Sequence, residues 1–170
     1  TRTLASPAAA NSLGANKALI IDTTVPTISS VALASNNSTI AVTFGEAVYN
    51  TSAGSGSLET SDFALSISGG TATLANNSAT PTSISASGNV YTLGIGLSGT
   101  PDGSEVLTVV PIDDGVYDGA GNEASTTQSN NTVTLNDQTA PTVSSVTATT
   151  ADGSYKVGDV IAITVTFSET

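Results

Sequence analysis

The sequence predicts an all-β sandwich on three observations. Apolar residues fall in short groups of alternating parity rich in Val, Ile and Thr, clusters of Ser, Asn and Gly separate those groups, and no stretch sustains the period of an amphipathic helix. Only 10% of residues are charged and 4% aromatic, which would also suit a disordered chain, but disorder does not need regular apolar groups.

Eight segments read as strands. Segment 28–34 carries Ile28 and Val31, and in 39–45 Ile40, Val42 and Phe44 face one way while Ala41 and Thr43 face the other, the pattern of a half-buried strand. Leu58 to Asp62 suits a short helical turn leading into 63–68, whose inward residues are Phe63 and Leu65. Segments 71–75 and 82–86 follow, then 90–97 around Leu93, 105–111 with Leu107 and Val109, and 132–136 with Val133. Ser68-Gly69-Gly70 and Ser87-Gly88-Asn89 supply positive-φ residues for hairpin turns. Strands this short, seven or so in about 100 residues, suit an immunoglobulin-like sandwich. A repeat entered at one pole and left at the other needs an odd number of crossings, so 71–75 and 82–86 are read as one interrupted crossing with 76–81 bulging out.

An internal repeat organises the chain. Residues 22–31 (Asp-Thr-Thr-Val-Pro-Thr-Ile-Ser-Ser-Val) recur at 137–146 (Asp-Gln-Thr-Ala-Pro-Thr-Val-Ser-Ser-Val), an offset of 115, and 40–46 recur at 163–169, an offset of 123. The eight extra residues fall in the connecting loop, where repeats usually diverge. The resulting division is 1–24, the tail of a preceding repeat; 25–137, one complete unit; and 138–170, the first strands of the next. Residues 1–24 offer a final strand through Ala18, Leu19, Ile20 and Ile21. The start at Thr1 and the stop in mid-repeat lead to the expectation of a stretch from a longer array.

Composition removes most chemistry. Without Cys or His there is no thiol nucleophile, imidazole base, zinc site or disulfide, and carboxylates and hydroxyls are the reactive groups left. A formal charge of −11, with Arg2, Lys17 and Lys156 far apart, excludes a phosphate-binding surface, so no nucleic-acid partner is expected. No apolar run approaches the ~20 residues of a membrane span, and no membrane insertion is expected.

The strand order brings oxygen ligands to one pole: Asp22 from the linker, Glu46 from the end of the second strand, and Asp113, Asp114, Asp118 and Asn122 from the loop before the last strand. Asp137, which repeats Asp22, joins these candidate metal ligands. Calcium takes 6–8 oxygens at roughly 2.3–2.6 Å and tolerates irregular geometry, so Ca2+ is the expected cofactor. The competing reading is that Asp, Asn and Gly are ordinary turn residues in a solvated loop. EF-hand spacing and its flanking helices are absent.

Asp-x-Thr-x-Pro-Thr leading into a strand, the Val-Thr-Phe-Ser/Gly-Glu strand end and the Asp-Gly-Ala-Gly-Asn loop together resemble the bacterial Ig-like (Big-type) tandem repeats of large surface adhesins and S-layer proteins. The resemblance implies an extracellular or cell-surface structural protein that is not an enzyme, built of rigid repeats often stiffened by calcium. It would place Asp22, Glu46, Asp118 and Asn122 at the junction.

Other readings are weaker. Paired carboxylates suit a glycosidase, but a sugar cleft needs aromatic platforms, and there are 4 Tyr and 3 Phe. Phe44, Phe63 and Phe167 read as core, and the spacing of Tyr49, Tyr91, Tyr117 and Tyr155 gives no common carbohydrate face, leaving an accessory carbohydrate-binding module as a third reading. Sequons at Asn36, Asn37, Asn50, Asn76 and Asn130 are what an Asn/Ser/Thr-rich chain produces by chance. Two function classes remain: an extender whose partners are adjacent repeats of its own chain, and a self-assembling subunit of a filament or lattice whose partners are neighbouring copies that exchange strands. Missing Cys and Met suits either, since no sulfur is available to oxidise.

Overall fold

The computed structural model describes residues 9, 10, 12 and 21–169. Most of 1–24, including Ala18, Leu19 and Ile20 of the suggested final strand, as well as Arg2 and Lys17, lies outside the described residues. The fold is an all-β sandwich. One sheet has the order β1 (Ile28–Leu33), β2 (Thr39–Phe44), β6 (Val90–Gly94), β5 (Ile84–Ser87), and the facing sheet has the order β3 (Phe63–Ser68), β8 (Val106–Pro111), β9 (Thr132–Thr134). Every pairing is antiparallel. A short ladder joins β4 (Thr73–Leu74) to β7 (Leu97–Ser98), and β10 (Val143–Ala148) pairs with β11 (Ile163–Phe167) as a separate two-stranded sheet.

The interior follows from parity. Ile40, Val42 and Phe44 on β2, Leu93 on β6, Phe63 and Leu65 on β3, and Leu107 and Val109 on β8 are all buried. Val31 and Val133 pack against this core but stay partly exposed. Ile28 and Val31 are three residues apart, so a regular strand would send them to opposite faces. A register shift between Ile28 and Ser30 inserts one residue and turns both inward. The Ser29 hydroxyl donates to the Thr43 carbonyl at 3.0 Å across that bulge. Phe44, Phe63 and Tyr91 form an aromatic cluster with centroids 5.9–6.3 Å apart, Phe44 meeting Tyr91 edge-on. The buried Tyr91 hydroxyl is satisfied by the Val48 carbonyl at 3.2 Å.

Three expectations about local structure change. Segments 71–75 and 82–86 are not one interrupted strand: β4 pairs with β7, whereas β5 pairs with β6 in the first sheet. Asn76 and Asn77, both at positive φ, carry the chain from one ladder to the other. Segment 90–97 divides into β6 and β7 for the same reason. Gly69 and Gly70 have positive φ as expected, but they do not close a hairpin, because β3 takes β8 as its partner. The Gly88-Asn89 turn does close one, between β5 and β6. A 3-10 turn at Thr60–Asp62 precedes β3, as the sequence predicts.

These pairings put the start of β1, the ends of β2 and β8 and the starts of β3 and β9 at one pole, called here the near pole. The end of β9 and the β1–β2 turn lie at the far pole. All eleven strands lack a charged residue, so every charge in the described residues sits in a loop or at a pole.

The pair β10–β11 repeats β1–β2 residue by residue. Val143↔Phe167, Ser145↔Thr166, Val146↔Val165, Thr147↔Thr164 and Ala148↔Ile163 reproduce the register of the first pair, including the bulge. Ser144 donates to the Thr166 carbonyl at 3.0 Å, as Ser29 does to Thr43. Its loop, 149–162, holds the insertion and is folded on itself by bonds from Tyr155 to the Ala151 carbonyl and from the Lys156 N–H to Asp159.

Candidate metal centre

Three carboxylates from three segments converge at the near pole. Oxygen atoms of Asp22, before β1, Glu46, after β2, and Asp118, in the β8–β9 loop, all lie within 4.8 Å of one another. Each is placed by a local device. Asp22 accepts the Thr24 N–H at 2.9 Å and caps its own turn. Glu46 lies two residues beyond Phe44, whose buried ring fixes the end of β2. Asp118 is fully buried; its Oδ1 accepts the N–H groups of Ala120 and Asn122, and its Oδ2 accepts the Asn122 side-chain amide, each at 2.8 Å. The same amide reaches the Asp22 carbonyl at 3.2 Å, tying linker to loop across 100 residues.

The electrostatics differ among the three. Burial, then the charges of Asp118 and Asp22, push the Glu46 carboxyl above its ordinary value. Burial alone would raise Asp118 too, but the bonds from Asn122, Ala120 and Gly121 outweigh it and hold that carboxyl below the ordinary range. Adjacent carboxylates with no basic neighbour among the described residues, offering only hard oxygens, fit a hard divalent cation and not zinc or copper.

The other candidate ligands lie elsewhere. Asp113 is exposed, outside the trio. Asp114, at positive φ, gives its N–H to Glu123 at 2.6 Å and accepts the Tyr117 hydroxyl at 2.9 Å, so it organises its own side of the loop. Tyr117 in turn exchanges main-chain bonds with Tyr49 at 2.7 and 2.8 Å, joining the 112–131 loop to the segment after β2. Asp137 is at the far pole, where it repeats Asp22: Thr139 donates to it at 2.7 Å as Thr24 does to Asp22. That N–H holds Asp137 below its ordinary value. Burial and then Asp137 itself push up Glu169, the counterpart of Glu46.

Sequence reasoning did not single out Gln128 or Glu105. Gln128 accepts the Ile28 N–H at 2.8 Å, covering the bulged end of β1, and nothing in its surroundings distinguishes it from other polar loop residues. Glu105 is fully buried at the far pole. Its Oε1 accepts the N–H groups of Thr71 and Ala72 at 2.9 and 2.8 Å, and its Oε2 that of Asp102 at 3.1 Å. A signal for it existed: residue 105 shares the parity of Leu107 and Val109, which face the core.

No protein-family model matches the chain, and no curated protein is significantly similar to it. Among solved structures it is similar to the N-terminal part of the bacterial S-layer protein SbsC, at 25% identity and a TM-score of 0.47. The match covers 74% of this chain and 26% of that one, so the chain spans about a quarter of that structure's length. Among the described residues no helix is long and apolar enough to cross a membrane.

Proposed function

We propose that the chain is a non-catalytic structural repeat of a long bacterial surface or secreted protein, with immunoglobulin-like units divided at 25–137 and 138–170 and junctions stiffened by calcium. The observation that carries this reading is the duplication of β1–β2 as β10–β11, with one register, one bulge and one serine hydroxyl bond in both. A chain that repeats a strand pair at this level of detail builds length by stacking units. Calcium is supported by the Asp22, Glu46 and Asp118 trio, which places like charges together at the linker. A non-catalytic role is supported by the residue chemistry, since the chain has no Cys or His.

The alternative, a subunit that completes its sandwich with strands of a neighbouring copy, is favoured by the second strand pair. Val143, Ile163, Val165 and Phe167 are about half exposed, while their counterparts Ile28, Ile40, Val42 and Phe44 are buried. Light scattering of the purified chain with and without calcium separates the two. A monomer whose melting temperature rises with calcium supports the extender, a monomer indifferent to calcium removes the cation from that reading, and an ordered polymer with protected amides in β11 replaces it with assembly.

A further inference from the structure

The two linkers of the chain share an Asx turn, and the second is held from behind. Residues 136–139, which leave β9 and lead to β10, are bound at the far pole by two loops of the preceding unit. The first is the β1–β2 turn. Asn37 there has φ +58, a conformation asparagine tolerates, and it is 1% exposed although it sits at the tip of a turn. Its Nδ2 donates to the Asn136 carbonyl at 2.8 Å, and its Oδ1 accepts both the Asn136 N–H at 2.9 Å and the Asn136 side-chain amide at 3.0 Å. The side chain of Asn37 therefore pairs with Asn136 as a peptide group would in an antiparallel ladder, and continues the pairing of the sandwich one residue beyond Leu135. Asn136 also reaches the Ala34 carbonyl at 3.1 Å, and the Gln138 amide reaches that of Ser35 at 3.3 Å.

The second loop is 101–105. The Pro101 carbonyl accepts the Gln138 N–H at 2.9 Å and the Thr139 hydroxyl at 3.2 Å. Its position is set by the next residue, since the Asp102 N–H is bound to the buried Glu105 carboxylate. Gly103 lies beside the linker as well, where an added Cβ would be in van der Waals contact with the Asp137 Cβ at 3.4 Å.

We infer that this grip is a metal-independent clamp on the linker: Asn37 and the Pro101 carbonyl fix the direction in which the chain leaves one unit for the next, and Glu105 positions the Pro101 side of it. The biological use rests on the structural-repeat reading above, but the clamp does not require its calcium. The near-pole trio lies at the opposite end of the unit, and none of the clamp's bonds uses the carboxylate of Asp137, the counterpart of Asp22.

The test is backbone 15N relaxation of the full 170-residue chain, with and without chelator, in the parent and in Asn37→Gly, which keeps the positive-φ turn while removing the amide. In the parent, order parameters at Asn136, Gln138 and Thr139 should match the rigid value of about 0.85 in either condition. In Asn37→Gly they should fall toward 0.6 or below while β1, β2 and β6 are unchanged. Asn136→Ala keeps both main-chain bonds to Asn37 and removes only the bonds of the Asn136 side-chain amide to Asn37 and Ala34; it serves if Asn37→Gly unfolds the unit, and should loosen the same three amides in the same direction but by less. A parent linker that is already mobile, or one that stays rigid in both variants, overturns the clamp. A linker that loosens on chelation alone overturns it in favour of the cation, whereas calcium-indifferent melting with a rigid linker removes calcium and leaves the clamp standing.

Discussion

Gly70 lies against the carboxylate of Glu105, in a space that a Cβ would fill. The glycine also holds φ +56, so the turn after β3 is shaped to let a buried acid reach the N–H groups of Thr71 and Ala72. Among the described residues no basic side chain compensates Glu105. Its charge is stabilised first by the Ala72 N–H, against the cost of burial, with its own N–H and those of Thr71 and Asp102 adding to the effect, and the carboxyl is held below its ordinary value of 4.5. A depressed carboxyl contributes stability above its unfolded-state pKa and loses it as pH falls through the folded-state value. Denaturant melts should therefore weaken progressively below about pH 4.5. Glu105→Gln, which turns an amide donor toward backbone donors, should cost about 1–3 kcal/mol at neutral pH and flatten that acid limb. An unchanged midpoint would mean that the carboxylate does not hold the 69–72 and 101–105 loops.

Phe44 and Phe167 occupy the same position in the two strand pairs, at 2% and 53% exposure. Phe44→Ala removes a ring packed on Phe63 and Tyr91 and should cost about 3–5 kcal/mol. Phe167→Ala in the same chain should shift the main unfolding transition by less than about 0.5 kcal/mol, the range of surface substitutions. Equal losses in paired urea melts would show that β10–β11 packs as part of a core in solution.

The contrast between those two phenylalanines shows what the sequence carries and what it omits. Alternation alone located the inward residues of β2, β3, β6 and β8, because each of these strands has one buried face. It gave no account of Val48, Leu58, Val116 and Ala124, which are buried yet belong to connections, since loop residues have no period to read. The Asn76-Asn77 crossover was hidden because two left-handed asparagines look, in sequence, like any polar loop. Counting crossings brings Asp22, Glu46, Asp113, Asp114, Asp118 and Asn122 to one pole, although the count rests on joining 71–75 to 82–86, which the strand pairings separate. Asp113 and Asp114 enter with the rest of their loop, and the φ of +59 at Asp114 that directs this residue toward Tyr117 and Glu123 has no sequence signature.

Tyr117 gives an alkaline counterpart to Glu105. The bond to Asp114, followed by partial burial and the charges of Asp114, Glu123 and Asp113, pushes its hydroxyl up to about 12. A phenol raised above its unfolded-state value of about 10 stabilises the fold below that value and loses the contribution as pH rises toward 12. Absorbance titration at the tyrosinate band should show two late-titrating tyrosines, Tyr117 and Tyr91, the latter raised by burial and then by Tyr49, and Asp114→Asn should move the Tyr117 step alone to lower pH. If Asp114→Asn leaves the titration in place, the hydroxyl bond is not what holds the proton.

Glu46 provides the sharpest test of the near-pole trio because its effect should change sign with calcium. Its carboxyl is raised by burial and by Asp118 and Asp22, so at neutral pH the charged form is disfavoured in the fold, and stability should rise as pH falls through the raised value. Without a divalent ion, Glu46→Gln removes that repulsion and should melt at the same temperature as the parent or higher. Asp118→Ala is a poorer probe, since it also abandons the donors of Ala120 and Asn122. With calcium at tenfold over its dissociation constant, mass action should stabilise the parent by about 1.4 kcal/mol, or about 6 °C for a unit of this size. Glu46→Gln, having lost one of three carboxylates, should gain much less. Parallel thermal melts in chelator and in about 10 mM calcium, a concentration chosen for the millimolar affinity of extracellular sites, decide the matter. A crossing of the two variants' order between the conditions supports a cation bound by all three side chains, whereas equal calcium responses would leave Glu46 outside any site and reduce the trio to repelling charges on a solvated pole.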